Sequence, residues 1–141
     1  MSRIGWAALA ASLLLAGGAV AQTPGATVTV TLDGVHGGGG KVLASLCDDP
    51  SKGFPGDCLT YAAMAPAQAG RTVVVFTGVK PGTYALQAFH DLNGDMRPEI
   101  PPEGYAFGNG AAWPPAFDKA SIKVGSDTSA SLRMTYVGDG Q

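Results

Sequence analysis

The sequence predicts an all-β protein: a single seven-stranded antiparallel sandwich behind an N-terminal export signal. Three observations predict it. Apolar side chains recur at every second position through most of the chain, the period of a strand with one buried face. Gly and Pro, 21 and 10 among 141 residues, break the chain at short intervals, as turns between short strands require. No stretch of helical period exceeds two turns beyond the N-terminal segment.

The elements follow in order. Arg3 supplies an early positive charge, residues 4–16 are uncharged and mostly apolar, and Ala19-Val20-Ala21 places small residues at both positions of a cleavage site. This is the layout of a secretory signal, cut after Ala21. The run falls short of the about 20 apolar residues a membrane span needs, and Gly17-Gly18 interrupts its end. Residues 1–21 are therefore read as a signal peptide and 22–141 as one domain, with its core over about residues 27–136. The expected location is periplasmic or extracellular, with no membrane span in the exported part.

Within that part, Thr27-Val28-Thr29-Val30-Thr31-Leu32 alternates hydroxyl and aliphatic side chains and predicts the first strand. Asp33-Gly34 and residues 37–40, all Gly, turn the chain into a second strand over 41–47, with Val42, Ala44 and Leu46 on one face. A weaker third strand covers 59–65. The fourth, over 71–77, carries Val73 and Val75 on one side and Val74 and Phe76 on the other, so burial on both faces is expected. Pro81-Gly82 suits a tight bend. The fifth strand, 83–90, puts Tyr84, Leu86, Ala88 and His90 on one face. A long irregular segment follows over 91–115, and strands at 117–124 and 130–136 complete the set.

Charge excludes one class of partner. Nine Lys and Arg stand against 11 Asp and Glu, so the basic stripe that nucleic acid requires is absent. The two cysteines, Cys47 and Cys58, both lie in the exported part and are expected to form one disulfide in an oxidising compartment. A redox or metal use would favour C-x-x-C or further Cys and His nearby.

Five segments stand out in order: Gly53-Phe54-Pro55, Pro81-Gly82-Thr83-Tyr84-Ala85-Leu86, His90-Asp91-Leu92-Asn93-Gly94-Asp95, Pro102-Glu103-Gly104-Tyr105-Ala106-Phe107 and Pro115-Ala116-Phe117. In these, and from about residue 27 to 136, the chain resembles the bacterial secreted family known as domain of unknown function 2141. The resemblance implies an immunoglobulin-like or prealbumin-like sandwich and an exported protein. It implies no activity, and a fold alone does not supply one.

Chemistry, if any, is expected in the long segment. Asp91, Asn93 and Asp95 place oxygen side chains at alternate positions and Glu99 follows, a pattern that can surround Ca²⁺. The set departs from helix–loop–helix calcium loops at Met96, where Gly is needed, and at Pro102, where Glu is needed; Glu103 could reach back to the same place. The competing reading is turn chemistry around Asn93-Gly94. His90 reads as a packing residue or, with His36, a transition-metal ligand. Tyr105, Phe107 and Trp113 either cap the core or form a platform for a sugar or peptide.

Enzyme signatures are absent. Residues 37–41 fail as a phosphate loop because Val42 stands where a hydroxyl should hold Mg²⁺. There is no G-x-S-x-G turn and no H-E-x-x-H pair. The expectation is a non-catalytic exported binding or envelope-accessory module, with Ca²⁺ as the one candidate cofactor and a protein or glycan as partner. The alternative is a periplasmic hydrolase or carbohydrate-active enzyme using Asp91, Asp95, Glu99 or Glu103.

Overall fold

The computed structural model describes residues 25–138. The expected signal peptide and the last three residues lie outside the described residues.

The described residues form eight strands and no α-helix. They are β1 (Ala26–Val35), β2 (Lys41–Cys47), β3 (Tyr61–Pro66), β4 (Gly70–Val79), β5 (Gly82–Asp91), β6 (Tyr105–Phe107), β7 (Ser121–Val124) and β8 (Thr128–Arg133). One sheet has the order β4-β1-β8; the other has β3-β2-β5-β6, with β7 also paired to β5. Strands β6 and β7 share one edge of β5, β6 along residues 87–89 and β7 along 82–85.

The core lies between the two sheets and follows the alternation of the sequence. Val28, Val30 and Leu32 of β1, Val74 and Phe76 of β4, and Leu132 of β8 meet Val42, Leu46, Tyr84 and Leu86 of the second sheet. Burying each such side chain contributes about 1.5–3 kcal/mol before the entropy of ordering it is counted. The hydroxyl face Thr27, Thr29 and Thr31 stays half-buried on the outside.

Four expectations are corrected. There are eight strands rather than seven, because the segment expected to be irregular contains β6. The arrangement is not wholly antiparallel: β8 lies parallel to β1, with Val28 opposite Thr128 and Leu32 opposite Leu132. Strand β4 is not buried on both faces, since Val73 and Val75 are exposed; β4 is an edge strand of a three-stranded sheet whose outer face nothing covers among the described residues. The stretch from Phe117 to Ala120 is a turn, so β7 begins only at Ser121, and β8 starts earlier and ends sooner than its apolar pattern suggests. Beyond β8, Met134 and Tyr136 remain in the core, and Thr135 makes an isolated bridge to Tyr105.

A second apolar cluster sits on the outer face of the five-stranded sheet. A disulfide joins Cys47 and Cys58. They pack with Ala85, Phe107 and Ala120, and Phe54 and Phe117 lie against them. The disulfide loop is folded onto this face by Gln87, whose amide oxygen accepts from Gly56 N–H at 2.8 Å and whose NH₂ reaches Ser45 Oγ at 2.8 Å.

Candidate functional site in the loop after the fifth strand

Strand β5 ends on Asp91, and its register brings Asp91 opposite Lys41 at the rim of the sheet. The chain then loops through residues 92–104 before returning as β6. Two carboxylates organise the loop from inside. Asp91 is 1% exposed; its Oδ1 accepts from Gly94 N–H at 3.0 Å and its Oδ2 from Met96 N–H at 3.0 Å. Glu103 is also 1% exposed. Its Oε2 accepts from Leu92 N–H at 2.7 Å and its Oε1 from Glu99 N–H at 2.9 Å, which ties the two ends of the loop together.

Oxygens of Asp91, Asp95 and Glu103 all lie within 4.8 Å of one another. A Ca²⁺ ion holds its oxygens at about 2.4 Å, so ligands on opposite sides stand about 4.8 Å apart. The cluster therefore matches the size of one such ion. The ion pairs among the described residues, Lys52–Asp48 and Arg71–Asp33, lie elsewhere, and Arg97 in the same loop is exposed. Lys41 stands opposite Asp91 but forms no ion pair with it among the described residues. Two buried carboxylates close together without an ion-paired cation are costly, and buried charges are ordinarily paired or bound to metal. Each oxygen that accepts one N–H keeps a second lone pair, so the backbone bonds do not exhaust the site. The donor set fits a hard, oxygen-seeking cation.

Asn93 and Glu99 are placed differently from Asp91 and Asp95. Asn93 Nδ2 donates to Glu99 Oε1 at 2.9 Å, and Asn93 Oδ1 accepts from Asp95 N–H at 3.2 Å. The negative charge of Asp95, then partial desolvation and the charge of Glu103, push the Glu99 carboxyl above its ordinary range. Glu103 completes the close group; it stands one residue past the position where a calcium loop carries its Glu, which was the available signal. Met96, where such loops need Gly, takes φ 66, the left-handed geometry that Gly adopts most readily.

His90 is fully buried. Its Nε2 lies 2.7 Å from Gly39 O, an acceptor only, so that nitrogen carries a proton, and its Nδ1 lies 2.8 Å from the Tyr136 hydroxyl. His36 stacks on the Tyr136 ring at 3.6 Å between centroids. The two histidines thus meet through Tyr136, and both nitrogens of His90 are engaged. Of the three aromatics, Phe107 is buried in the outer cluster, Tyr105 is half-buried and Trp113 is 63% exposed. Trp113 leans on Tyr105 at 6.2 Å and on Phe107 at 6.0 Å.

Fold and loop together define an all-β protein of two sandwiched sheets with an acidic loop between β5 and β6. Residues 30–131 match the family described as uncharacterized protein conserved in bacteria, DUF2141, and the chain belongs to that family. Comparison with curated proteins and with solved structures gives no match. No helix among the described residues is long and apolar enough to cross a membrane.

Proposed function

We propose that this protein is an exported, immunoglobulin-like or prealbumin-like β-sandwich that acts as a non-catalytic binding or envelope-accessory module, with the loop between β5 and β6 stabilised by Ca²⁺. The supporting observation is the pair of buried carboxylates, Asp91 and Glu103, gathered with Asp95 and engaged in no ion pair among the described residues. In this reading Asp91, Asp95 and Glu103 hold the ion from inside the loop, while Asn93 and Glu99 brace its outer turn. The signal-like residues 1–21 and the single disulfide support export to an oxidising compartment. Backbone amides occupy every oxygen of Asp91 and Glu103, which favours a structural role for these groups over the hydrolytic alternative.

Calorimetric titration with Ca²⁺, together with thermal melts in Ca²⁺ and in chelator, tests the reading. Ligand at 100 times its dissociation constant should stabilise the fold by about 2.7 kcal/mol. Asp91→Asn and Glu103→Gln should each abolish the shift. No heat and identical melts would remove the cation from the account.

A further inference from the structure

The outer face of the five-stranded sheet carries a row of apolar side chains that neither the core nor the acidic loop uses. Cross-strand register lines them up: Met64 is opposite Leu43, Leu43 is opposite Phe89, and Phe89 is opposite Tyr105. Residues directly opposite share a face, so the four form one line across β3, β2, β5 and β6. Tyr105 continues it to Trp113 at 6.2 Å. Three strand spacings make the line about 14 Å long before Trp113 is added.

None of the five is fully covered: Met64 is 49% and Trp113 63% exposed, and Leu43, Phe89 and Tyr105 are half-buried. On one side of the row the disulfide loop is tied down on Gln87. On the other, Asp91 is buried beneath its own loop. The strip between these loops stays open.

Size decides what could cover it. Aromatic side chains bury about 150–250 Å² each when fully covered. At the observed exposures the five side chains offer on the order of 300–500 Å². A stable interface with a folded partner or a second copy takes about 800 Å² per side. The strip is too small for that, yet it is the size of a functional apolar patch. An extended peptide gains much of its affinity from main-chain bonds at a sheet edge; this row lies on a sheet face, where such bonds are spent within the ladder. What it offers is ring surface, with Trp113 held in place by two other rings, and the exposed Lys41, two residues from Leu43 on the same face, at its margin. Ring surface with a hydrogen-bonding group at its margin suits a ligand with flat apolar C–H faces and a hydroxyl periphery.

We infer that the row from Met64 to Trp113 binds a short linear oligosaccharide, its sugar rings stacked on Phe89, Tyr105 and Trp113. This rests on the binding-module reading, but its floor stands on strands rather than on the cation loop. The full chain contains two tryptophans, Trp6 and Trp113, so fluorescence reports on the row once the Trp6 background is measured in Trp113→Phe.

The experiment titrates the full chain with linear hexasaccharides of β-1,4-glucose, β-1,4-N-acetylglucosamine and α-1,4-glucose, by fluorescence and by calorimetry, with Ca²⁺ and with chelator. At least one saccharide should saturate the signal with a dissociation constant on the order of 10⁻⁴–10⁻³ M. Trp113→Ala should weaken binding about tenfold or more with an unchanged melting temperature, and Phe89→Ala should weaken it as well. A response that survives chelation while the calcium titration is silent would keep this inference and discard the cation. Silence from all three saccharides to about 10 mM overturns it. So does saturation by an apolar peptide alone, concentration-dependent dimerisation that quenches Trp113, or undiminished binding in Trp113→Ala.

Discussion

Single residues do most of the ordering in the acidic loop. Met96 holds a left-handed φ of 66, which for an L side chain costs on the order of 1 kcal/mol and is tolerated when its surroundings impose it. Its N–H donates to buried Asp91 Oδ2, which is one such constraint. Met96→Gly should therefore be neutral or raise stability by up to about 1 kcal/mol, whereas Met96→Val should lower it by about the same amount, in urea unfolding. His90 shows a different logic. Removing the ring in His90→Ala leaves a buried cavity and takes away the partner that Gly39 O and the Tyr136 hydroxyl now meet. A loss of about 3 kcal/mol is expected, read from the shift in denaturation midpoint. The packing reading of His90 was legible because the position shares the face of Tyr84, Leu86 and Ala88. Its partners were not, since Gly39 and Tyr136 lie 51 and 46 residues away.

Elements add the loops that the strands hold apart. The disulfide between Cys47 and Cys58 closes a loop with a sequence separation of 11. By the chain-entropy account it contributes about 3 kcal/mol, so the double variant Cys47→Ala/Cys58→Ala should melt several degrees lower. Inside that loop, the side-chain bonds from Lys52 and Thr60 hold the Asp48 carboxyl below its ordinary 3.8. The N–H and hydroxyl of Ser51 do the same for Asp49. A carboxyl lowered by folding adds stability that is complete above the unfolded value and is lost as pH falls through the folded one. Stability should therefore decline below about pH 3.8 on this account, and Asp49→Asn should flatten part of that decline in melts taken from pH 2 to 6, numbers on the order of ordinary carboxyl titration. The turn between β1 and β2 is equally specific. A Cβ on Gly40 would stand 2.2 Å from Asp91 O, and its φ is +79. Gly40→Ala should cost about 2 kcal/mol or more and disturb the end of β5 where the acidic loop begins, visible in the same unfolding curves.

For the whole molecule, closure depends on the last strand. Strand β8 pairs in parallel with β1, while Leu132, Met134 and Tyr136 fill the core from the C-terminal side. Ending the chain after Val124 removes all of these and leaves β1 with a bare edge. Such a protein should lose its strand signal in far-UV circular dichroism and aggregate, as an unpaired apolar edge predicts.

Alternation along β1, β2 and β5 was enough to assign their buried faces, because a period of two is a local property of the backbone and the core reads it directly. The acidic residues of the loop after β5 and the cysteine pair were likewise visible in the chain. Which groups meet was not. Glu103 joins Asp91 only because the loop over 92–104 leads back into β6, which pairs antiparallel with β5. The exposure of Val73 and Val75 follows from the outer face of the β4-β1-β8 sheet lying uncovered among the described residues. The row from Met64 to Trp113 exists only through the register of four strands. These facts belong to pairings between distant segments, and pairing is settled by the free energy of the packed whole rather than by any stretch of neighbours along the chain.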